Sequence, residues 1–341
     1  MVNKHLQYGV DVSAKLVQSH DALDHGRCLQ GWRLECVQLS SGAFQSTMRE
    51  VRLDHCQIIR ERANQAMMKR GASWGDSIVL SLPLTASGRG WAAGRELPEG
   101  TMLLSDGDDL PEIHTPKELD LICLAFGRRW FAIKAMEAGY RRLSGRVWRQ
   151  DGFFIPEAHR QALVRLLTSI FSEVDLRPSI LDHATSRLFL EEEILRHLLA
   201  ALDSSILVSS PLDTPRKQTA DYVRDLALRD ASEAPNLAAI CQQLGISRAH
   251  LQNCFRLSYG LTATQMLRAI RLHAVRRDLR EAGRNGKATS IGDVAARWGF
   301  WHWSRFTGDY RNHFGELPSA TLRARKEPSQ TEIFKSRSDF G

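Results

Sequence analysis

A pattern of two apolar stripes separated by a glycine occurs twice in the C-terminal third of this 341-residue chain. The first copy, residues 237–255, reads LAAICQQLGISRAHLQNCF, and the second, residues 291–310, follows at a shift of 54 that becomes 55 after one inserted residue. The first stripes end at Gly245 and Gly299, and glycine takes the left-handed conformation at little cost. Two short helices around such a turn make a helix-turn-helix, so the repeat predicts two of these units.

Polar residues at the helix starts strengthen this prediction. Asn236 and Ser290 stand at expected N-cap positions, and Ser247 precedes the second helix of the first copy. The intervening segment TQMLRAIRLHAVRRDLREAG predicts one helix with a strongly basic face. Two units joined by such a helix can place two recognition helices in successive major grooves, about 34 Å apart on DNA.

The second copy contains the aromatic stretch WGFWHWSRF, which begins at Trp298. Trp298, Phe300 and Phe306 fall on the inward stripe of the unit, so we expect them in its core. Trp301 and Trp303 do not fit that stripe. Each either packs against the linking helix or the other unit, or contacts DNA, and these alternatives are open for Trp303.

The excess of positive charge lies in the same region. The chain has a net charge of +7, and residues 218–326 hold 17 Lys and Arg, 15 of them Arg, against 9 Asp and Glu. Such asymmetry is typical of proteins that bind a polyanion, and Arg matches phosphates and guanine edges well. A solvated basic surface is the alternative interpretation of the charge alone.

The rest of the chain predicts a different architecture. Up to about residue 150, short apolar runs separated by Gly, Pro and Asp favour a small β-barrel or sandwich. Residues 151–205 contain two amphipathic helical stripes, which either cover that sheet or pair with a second copy of the chain. Residues 206–217 indicate a linker, and residues 327–341 a flexible tail.

Several classes of protein are disfavoured. No apolar run is long enough to cross a membrane, and the first residues lack the core of a signal peptide. Six scattered cysteines without a CxxC pair suggest a reducing cytoplasm and no zinc site. The GxSxG match around Ser73 lacks the strand-turn-helix order of a nucleophile elbow, and Glu112 with His114 is too small a set for a metal. An enzymatic N-terminal domain, the main competing class, is therefore disfavoured.

The motifs LAAICQQLGISRAHLQNCF, RAIRLHAVRRDL, VAARWGF and FGELP resemble those of the AraC/XylS family of bacterial transcription regulators. The resemblance implies an α+β chain: a cupin-like β-barrel sensor at 1–150, a helical dimerisation segment at 151–205, and an all-α tandem helix-turn-helix domain at 218–326. It further implies a cytoplasmic homodimer that activates transcription, binds double-stranded DNA and RNA polymerase, and makes no contact with a membrane. No cofactor is implied, but a small-molecule effector is. A narrower likeness is to members that control ethanolamine utilisation in response to ethanolamine and cobalamin; divergence towards virulence or quorum-sensing control is the alternative.

The resemblance also implies which residues meet DNA. The base-reading positions carried over from the family are Ala249, Gln252, Asn253, Trp303, Ser304, Thr307 and Gly308. The side chains expected to contact phosphates are Arg248, Arg256, Arg305 and Arg311. Gln and Asn can each pair with adenine through two hydrogen bonds, whereas Gly308 stands where family members often carry Arg. The sequence names no ligand-binding or catalytic residue.

Overall fold

The computed structural model describes residues 12–144, 151–209, 213–229, 237–324 and 330–334. The strands are β1 (Ser13–Ser19), β2 (Arg33–Gln38), β3 (Ser46–Arg52), β4 (Cys56–Ala63), β5 (Met67–Ala72), β6 (Ser77–Ser87), β7 (Gly90–Ala92), β8 (Arg95–Leu97), β9 (Met102–Asp106), β10 (Leu110–His114), β11 (Lys117–Gly127), β12 (Asp151–Phe154), β13 (Ile206–Ser209) and β14 (Gln330–Phe334). The helices are α1 (Ala22–His25), α2 (Arg128–Glu137), α3 (Arg141–Ser144), α4 (Glu157–Leu176), α5 (Ala184–Asp203), α6 (Pro215–Arg229), α7 (Leu237–Leu244), α8 (Arg248–Tyr259), α9 (Ala263–Arg284), α10 (Ile291–Arg297), α11 (Trp303–Phe314) and α12 (Pro318–Arg323). A 3-10 helix, Pro178–Asp182, joins α4 to α5.

The N-terminal part is rich in strands, as expected, but its strands do not close into a barrel. They form a nine-stranded sheet in the order β13-β12-β9-β6-β11-β4-β3-β1-β14 and a five-stranded sheet in the order β2-β5-β10-β7-β8. Closure requires the first and last strands to pair, and here each sheet keeps two free edges. The prediction of a closed, cupin-like β-barrel was therefore wrong. Local alternation predicts strands but does not determine which distant edges meet.

A buried ion pair connects the two sheets. Glu61 lies on β4 of the larger sheet, and its carboxylate accepts from the ammonium of Lys69 on β5 of the smaller one. The imidazole Nε2 of His25 in α1 lies 3.0 Å from the same carboxylate. Burial alone would raise the pKa of Glu61, but the ammonium of Lys69 and the hydrogen bond with His25 hold it at about 2. Glu61 therefore stays ionised inside the sandwich.

The two long helices after the sheets pack on the molecule's own core. The stripe of α4 is buried at Leu163, Leu167, Ile170, Phe171 and Val174. The stripe of α5 is buried at Ile194, Leu195, Leu198, Leu199 and Leu202, while Leu188 is 44% exposed. Both stripes belong to one apolar cluster with strands of the nine-stranded sheet. Most of the predicted dimerisation stripe therefore covers the sheet of its own chain.

Four elements lie where the sequence predicted something else. β12 opens the segment predicted to be helical, and β13 lies in the predicted linker. α6 begins at Pro215, inside that linker, because proline is favoured at the first helical position. Part of the predicted flexible tail forms β14, which pairs antiparallel with β1. The free backbone groups of an edge strand provide the partner for such a segment.

The C-terminal part contains seven helices, α6 to α12, among the residues described. Its apolar residues form two clusters, and α9 contributes to both. Met266 and Ile270 pack with α7 and α8, whereas Val275 and Leu279 pack with α10 and α11. The long helix is thus shared by two small cores.

Candidate nucleic-acid interface

The first predicted helix-turn-helix unit is formed by α7 and α8. Gly245, between these helices, has a φ of 64°, the left-handed value expected for it. The hydroxyl of Ser247 accepts a hydrogen bond from the backbone N–H of His250 at 3.1 Å, so Ser247 caps α8 as expected. Leu251 and Phe255 on α8 are fully buried. The expected cap Asn236 lies outside the described residues.

The second unit repeats this geometry with α10 and α11. Gly299 has a φ of 82°, and the hydroxyl of Ser290 accepts from the backbone N–H of Asp293 at 3.3 Å. Equivalent glycines, Gly260 and Gly315, end α8 and α11 with φ values of 72° and 76°. The repeat in the sequence is therefore a repeat in the fold.

The aromatic stretch divides between core and surface. Trp298 is 4% exposed and donates its indole N–H to Asp278 on α9 at 2.8 Å, while Phe306 is 1% exposed. Phe300 is half-buried and packs against the same cluster. Trp301 and Trp303 are 78% and 53% exposed, so neither is a core residue. They lie where the turn meets the start of α11 and form an apolar surface beside the recognition helix.

The proposed base-reading residues lie on α8 and α11, and five of the seven are exposed. The exposed ones are Ala249, Asn253, Trp303, Ser304 and Gly308. Gln252 is half-buried, and its amide donates to the hydroxyl of Thr264 on α9 at 3.0 Å. The hydroxyl of Thr307, also half-buried, donates to the carbonyl of Trp303 at 3.0 Å. Asn253 is thus the amide side chain that points outward without rearrangement.

The four arginines expected at phosphates are all exposed: Arg248, Arg256, Arg305 and Arg311. Arg256 and Arg311 are equivalent in the repeat, and both lie in the C-terminal halves of their helices. Each unit therefore presents a guanidinium at the same relative place. Gly308 has open space around it, since a Cβ there would meet no atom within 4 Å.

Part of the basic face of the linking helix α9 is occupied by contacts with the N-terminal part. Arg276 donates to the carboxylate of Asp21 at 2.7 Å, and Arg280 lies 2.7 Å from the same carboxylate. Arg280 also lies 2.5 Å from Asp24, and Arg284 lies 3.6 Å from Asp24. Burial would raise the pKa of Asp21, but the two guanidiniums at its carboxylate hold it below its usual value. Part of the arginine excess therefore serves contact between the two parts of the chain.

Further residues of this contact were not predicted from the sequence. Glu112 accepts from Arg224 of α6 at 2.8 Å, and His114 lies 3.1 Å from the carbonyl of Tyr259 in α8. In the sequence Glu112 and His114 look like an isolated polar pair, because Arg224 and Tyr259 lie more than one hundred positions further along the chain. No group of His, Cys, Asp or Glu suited to a metal occurs among the residues described.

A cavity of about 900 Å³ lies in the N-terminal part between the two sheets and the start of α4. Its wall mixes apolar and polar side chains, and Arg160 lines it while donating to the carbonyl of Pro83 at 2.9 Å. The hydroxyl of Thr101, at the same cavity, is buried and has no hydrogen-bond partner in the described part of the chain. The space is large enough for a small organic molecule.

The sequence match at Ser73 does not make a nucleophile. Ser73 follows β5 and precedes β6, so the order is strand-turn-strand, and an elbow needs a helix after the serine. Its hydroxyl is buried against that of Ser77. Within the part of the chain that the structure describes, no helix has the length and apolar character needed to cross a membrane.

Fold and surface together define a tandem helix-turn-helix domain of the DNA-binding class. Residues 240–324 match the family described as a helix-turn-helix domain. Over 93 residues the chain is 36% identical to the probable thc operon regulatory protein of Rhodococcus erythropolis, a match covering 27% of each protein. Over 81 residues it is 37% identical to the XylDLEGF operon transcriptional activator 1 of Pseudomonas putida, covering 24% of each.

The matched segment spans only about a quarter of the length of these relatives. Among solved structures, the AraC-like transcriptional activator CuxR aligns with 74% of this chain and 86% of its own, at 18% identity and a TM-score of 0.37. A superposition at that level supports no conclusion about function. The likeness to operon regulators therefore rests on the C-terminal part, where it agrees with the AraC/XylS resemblance of the motifs.

Proposed function

We propose that the protein is a sequence-specific transcription regulator of the AraC/XylS type, an activator that reads two successive major grooves of double-stranded DNA. The observation that carries this proposal is the pair of equivalent helix-turn-helix units on one long helix, with the outward faces of α8 and α11 exposed. A cytoplasmic location and contact with RNA polymerase belong to the same proposal. The regulatory names of the relatives that match this segment support it.

The proposed reading of bases depends most on Asn253. An exposed amide can pair with adenine through two hydrogen bonds, whereas Gln252 must first break its bond to Thr264. A genome-wide DNA pull-down with the full chain supplies the natural sites for a gel-shift titration. We expect Asn253→Ala to weaken binding to a DNA site recovered in the pull-down by about 1–3 kcal/mol. Binding to random DNA should weaken much less. Gln252→Ala should have the smaller effect of the two.

The matched control for this experiment is Gln161→Ala, which removes an exposed amide from α4. It should leave both affinities unchanged. Equal losses on recovered and random DNA with Asn253→Ala would show that this side chain does not read bases. Failure to recover any preferred DNA would contradict the proposed function as a whole.

We also propose that the N-terminal part senses a small-molecule effector in the cavity beside Arg160 and Thr101. The support is the size of the space, its wall of mixed apolar and polar side chains, and the buried hydroxyl of Thr101, which has no partner among the described residues. The operons recovered by the pull-down indicate the effector class. Ethanolamine-utilisation genes would favour an ethanolamine- and cobalamin-responsive regulator, whereas virulence or signalling genes would favour a diverged member.

A homodimer is a further part of the proposal, but its surface must differ from the buried stripe of α5. Ile133 and Met136 on α2 and Leu188 and Phe189 on α5 are 44–64% exposed. Lys134 on α2 lies 3.9 Å from a carboxylate of α5, so the two helices are neighbours. We expect sedimentation of the full chain to give a dimer and Phe189→Glu to shift it towards monomer. A monomeric wild-type chain would contradict this part.

A further inference from the structure

The N-terminal part contacts the helices of both helix-turn-helix units, and we give the name bridging surface to six of its contacting residues. They are Asp21, Asp24, Gln38, Trp91, Glu112 and His114. Except for Asp21 and Asp24 beside α1, they belong to the five-stranded sheet. One rigid sheet therefore meets two units that are otherwise joined by a helix.

The first unit is held through α6 and α8. Glu112 pairs with Arg224, and His114 stacks on the ring of Tyr259 with centroids 4.7 Å apart. The indole of Trp91 lies against the Cα of Gly260, so close that a Cβ there would stand 2.4 Å from the ring. The bridging surface thus fixes the C-terminal end of the first recognition helix.

The second unit is held through α9 and α11. The backbone N–H of Gln38 donates to Nε2 of His273 at 2.7 Å, and its carbonyl accepts from Nε2 of His313 at 3.1 Å. Burial lowers the pKa of His273 to about 3 and that of His313 to about 4, so both are neutral at pH 7 and suited to these bonds. The ion pairs of Asp21 and Asp24 with α9 complete this contact.

The two units share α9 but not one core, since their apolar residues belong to separate clusters. Between them lies a cleft of about 330 Å³, lined by Thr264, Arg268, Trp301 and Arg305. An ion pair from Arg268 to Asp309 crosses it near the surface. Apart from α9, this cleft leaves little packing to fix the angle between the units.

Docking leaves the proposed reading faces open. Asn253, Ser304 and Gly308 are exposed in the docked arrangement. The contacts with the sheet use buried residues of the same helices, such as Tyr259 and His313. Contact with the N-terminal part and contact with DNA therefore occupy different sides of the C-terminal part.

We propose that the bridging surface fixes the angle between the two units, so that the docked arrangement is the one that reads DNA. The N-terminal part then acts as a positioning element for both recognition helices rather than as a cover over them. Release of one unit from the sheet uncouples the two reading faces. The inference rests on the proposed DNA-binding function, and its first test does not involve DNA.

That test measures the distance between the units by spin labels. The labels are placed by Leu257→Cys on α8 and Asp293→Cys on α10, both exposed, in a Cys28→Ser background because the other native thiols are buried. Arg280→Glu then places like charges beside Asp21 and Asp24 and releases the second unit. We expect one narrow distance peak in the labelled parent and loss of that peak in the variant.

Two further variants make the result specific. Adding Asp24→Arg to Arg280→Glu re-forms one of the two ion pairs that Arg280 makes, while Asp21 and Arg284 each face a like charge, so it should recover only part of the narrow peak. Arg229→Glu reverses an equally positive side chain that is 78% exposed on α6, and it should leave the peak unchanged. A narrow peak in Arg280→Glu, or a peak in Arg229→Glu as broad as that in Arg280→Glu, would overturn the proposal.

The DNA arm uses a site recovered by the pull-down. We expect Arg280→Glu to lower the affinity for this site by about 10-fold or more relative to Arg229→Glu, the size typical of coupling between two sites. The variant with both Asp24→Arg and Arg280→Glu should recover part of the parent's affinity. An affinity that rises in Arg280→Glu would show that docking hinders DNA binding and would overturn the proposal. Loss of the distance peak without any DNA binding in the parent would instead contradict only the proposed function.

Discussion

Glu61→Gln is expected to lower the free energy of unfolding by about 3–5 kcal/mol, because it leaves the ammonium of Lys69 buried without its counter-charge. Glu61 and Lys69 join the two sheets, and their side chains are 5% and 11% exposed. Water cannot compensate for the lost carboxylate at such burial. Urea unfolding followed by circular dichroism measures the change.

The double variant Glu61→Leu with Lys69→Met removes both charges and should recover most of that loss, since paired buried charges can often be replaced by apolar side chains. Glu96→Gln is the matched control, because its ion pair with Arg89 is exposed and contributes at most about 1 kcal/mol. If the double variant is as unstable as Glu61→Gln alone, the loss of stability does not come from the unpaired charge of Lys69.

The affinity for a recovered DNA site is expected to fall on the order of 10²-fold between about 50 and about 200 mM salt, if four arginines each displace one counterion from a phosphate. Arg248, Arg256, Arg305 and Arg311 are the exposed side chains placed to do so. Fluorescence anisotropy with a labelled duplex measures the slope of affinity against salt. A flat titration would contradict phosphate binding.

Single substitutions measure how much each arginine contributes to the slope of affinity against salt. Arg256→Ala and Arg311→Ala, at equivalent places in the two units, should each reduce the slope by about one. Arg177→Ala removes a guanidinium that is 72% exposed at the end of α4, far from the repeat in sequence, and should change nothing. Unequal effects of Arg256 and Arg311 would mean that the two units do not contact the backbone alike.

The helical part could be predicted from the sequence because its signals are local. Gly245, Gly299 and Ser247 act within a few residues, and the apolar stripes repeat at helical spacing. The burial of Trp298 and Phe306 followed from the same stripes. The tandem arrangement was therefore predictable from residues that lie next to one another along the chain.

The contacts between the two parts could not be predicted in this way. Arg276 and Asp21 lie 255 positions apart, and nothing near either residue in the sequence indicates the other. That the sheets stay open could not be predicted for the same reason, since closure of a barrel depends on which distant strand edges pair. The amide of Gln252 looked available for a base until its hydrogen bond to Thr264 on the next helix was seen.

The pairing of β14 with β1 changes how far the DNA-binding part can travel. The chain leaves the nine-stranded sheet at one edge, β13, and returns to the opposite edge as β14. The C-terminal part is thus an insertion anchored at both ends. Between Ala324 and the start of β14, a fully extended chain of this length spans at most about 20 Å. A large rotation about a single hinge would require β14 to separate from β1, so the pairing of these strands limits the C-terminal part to short displacements.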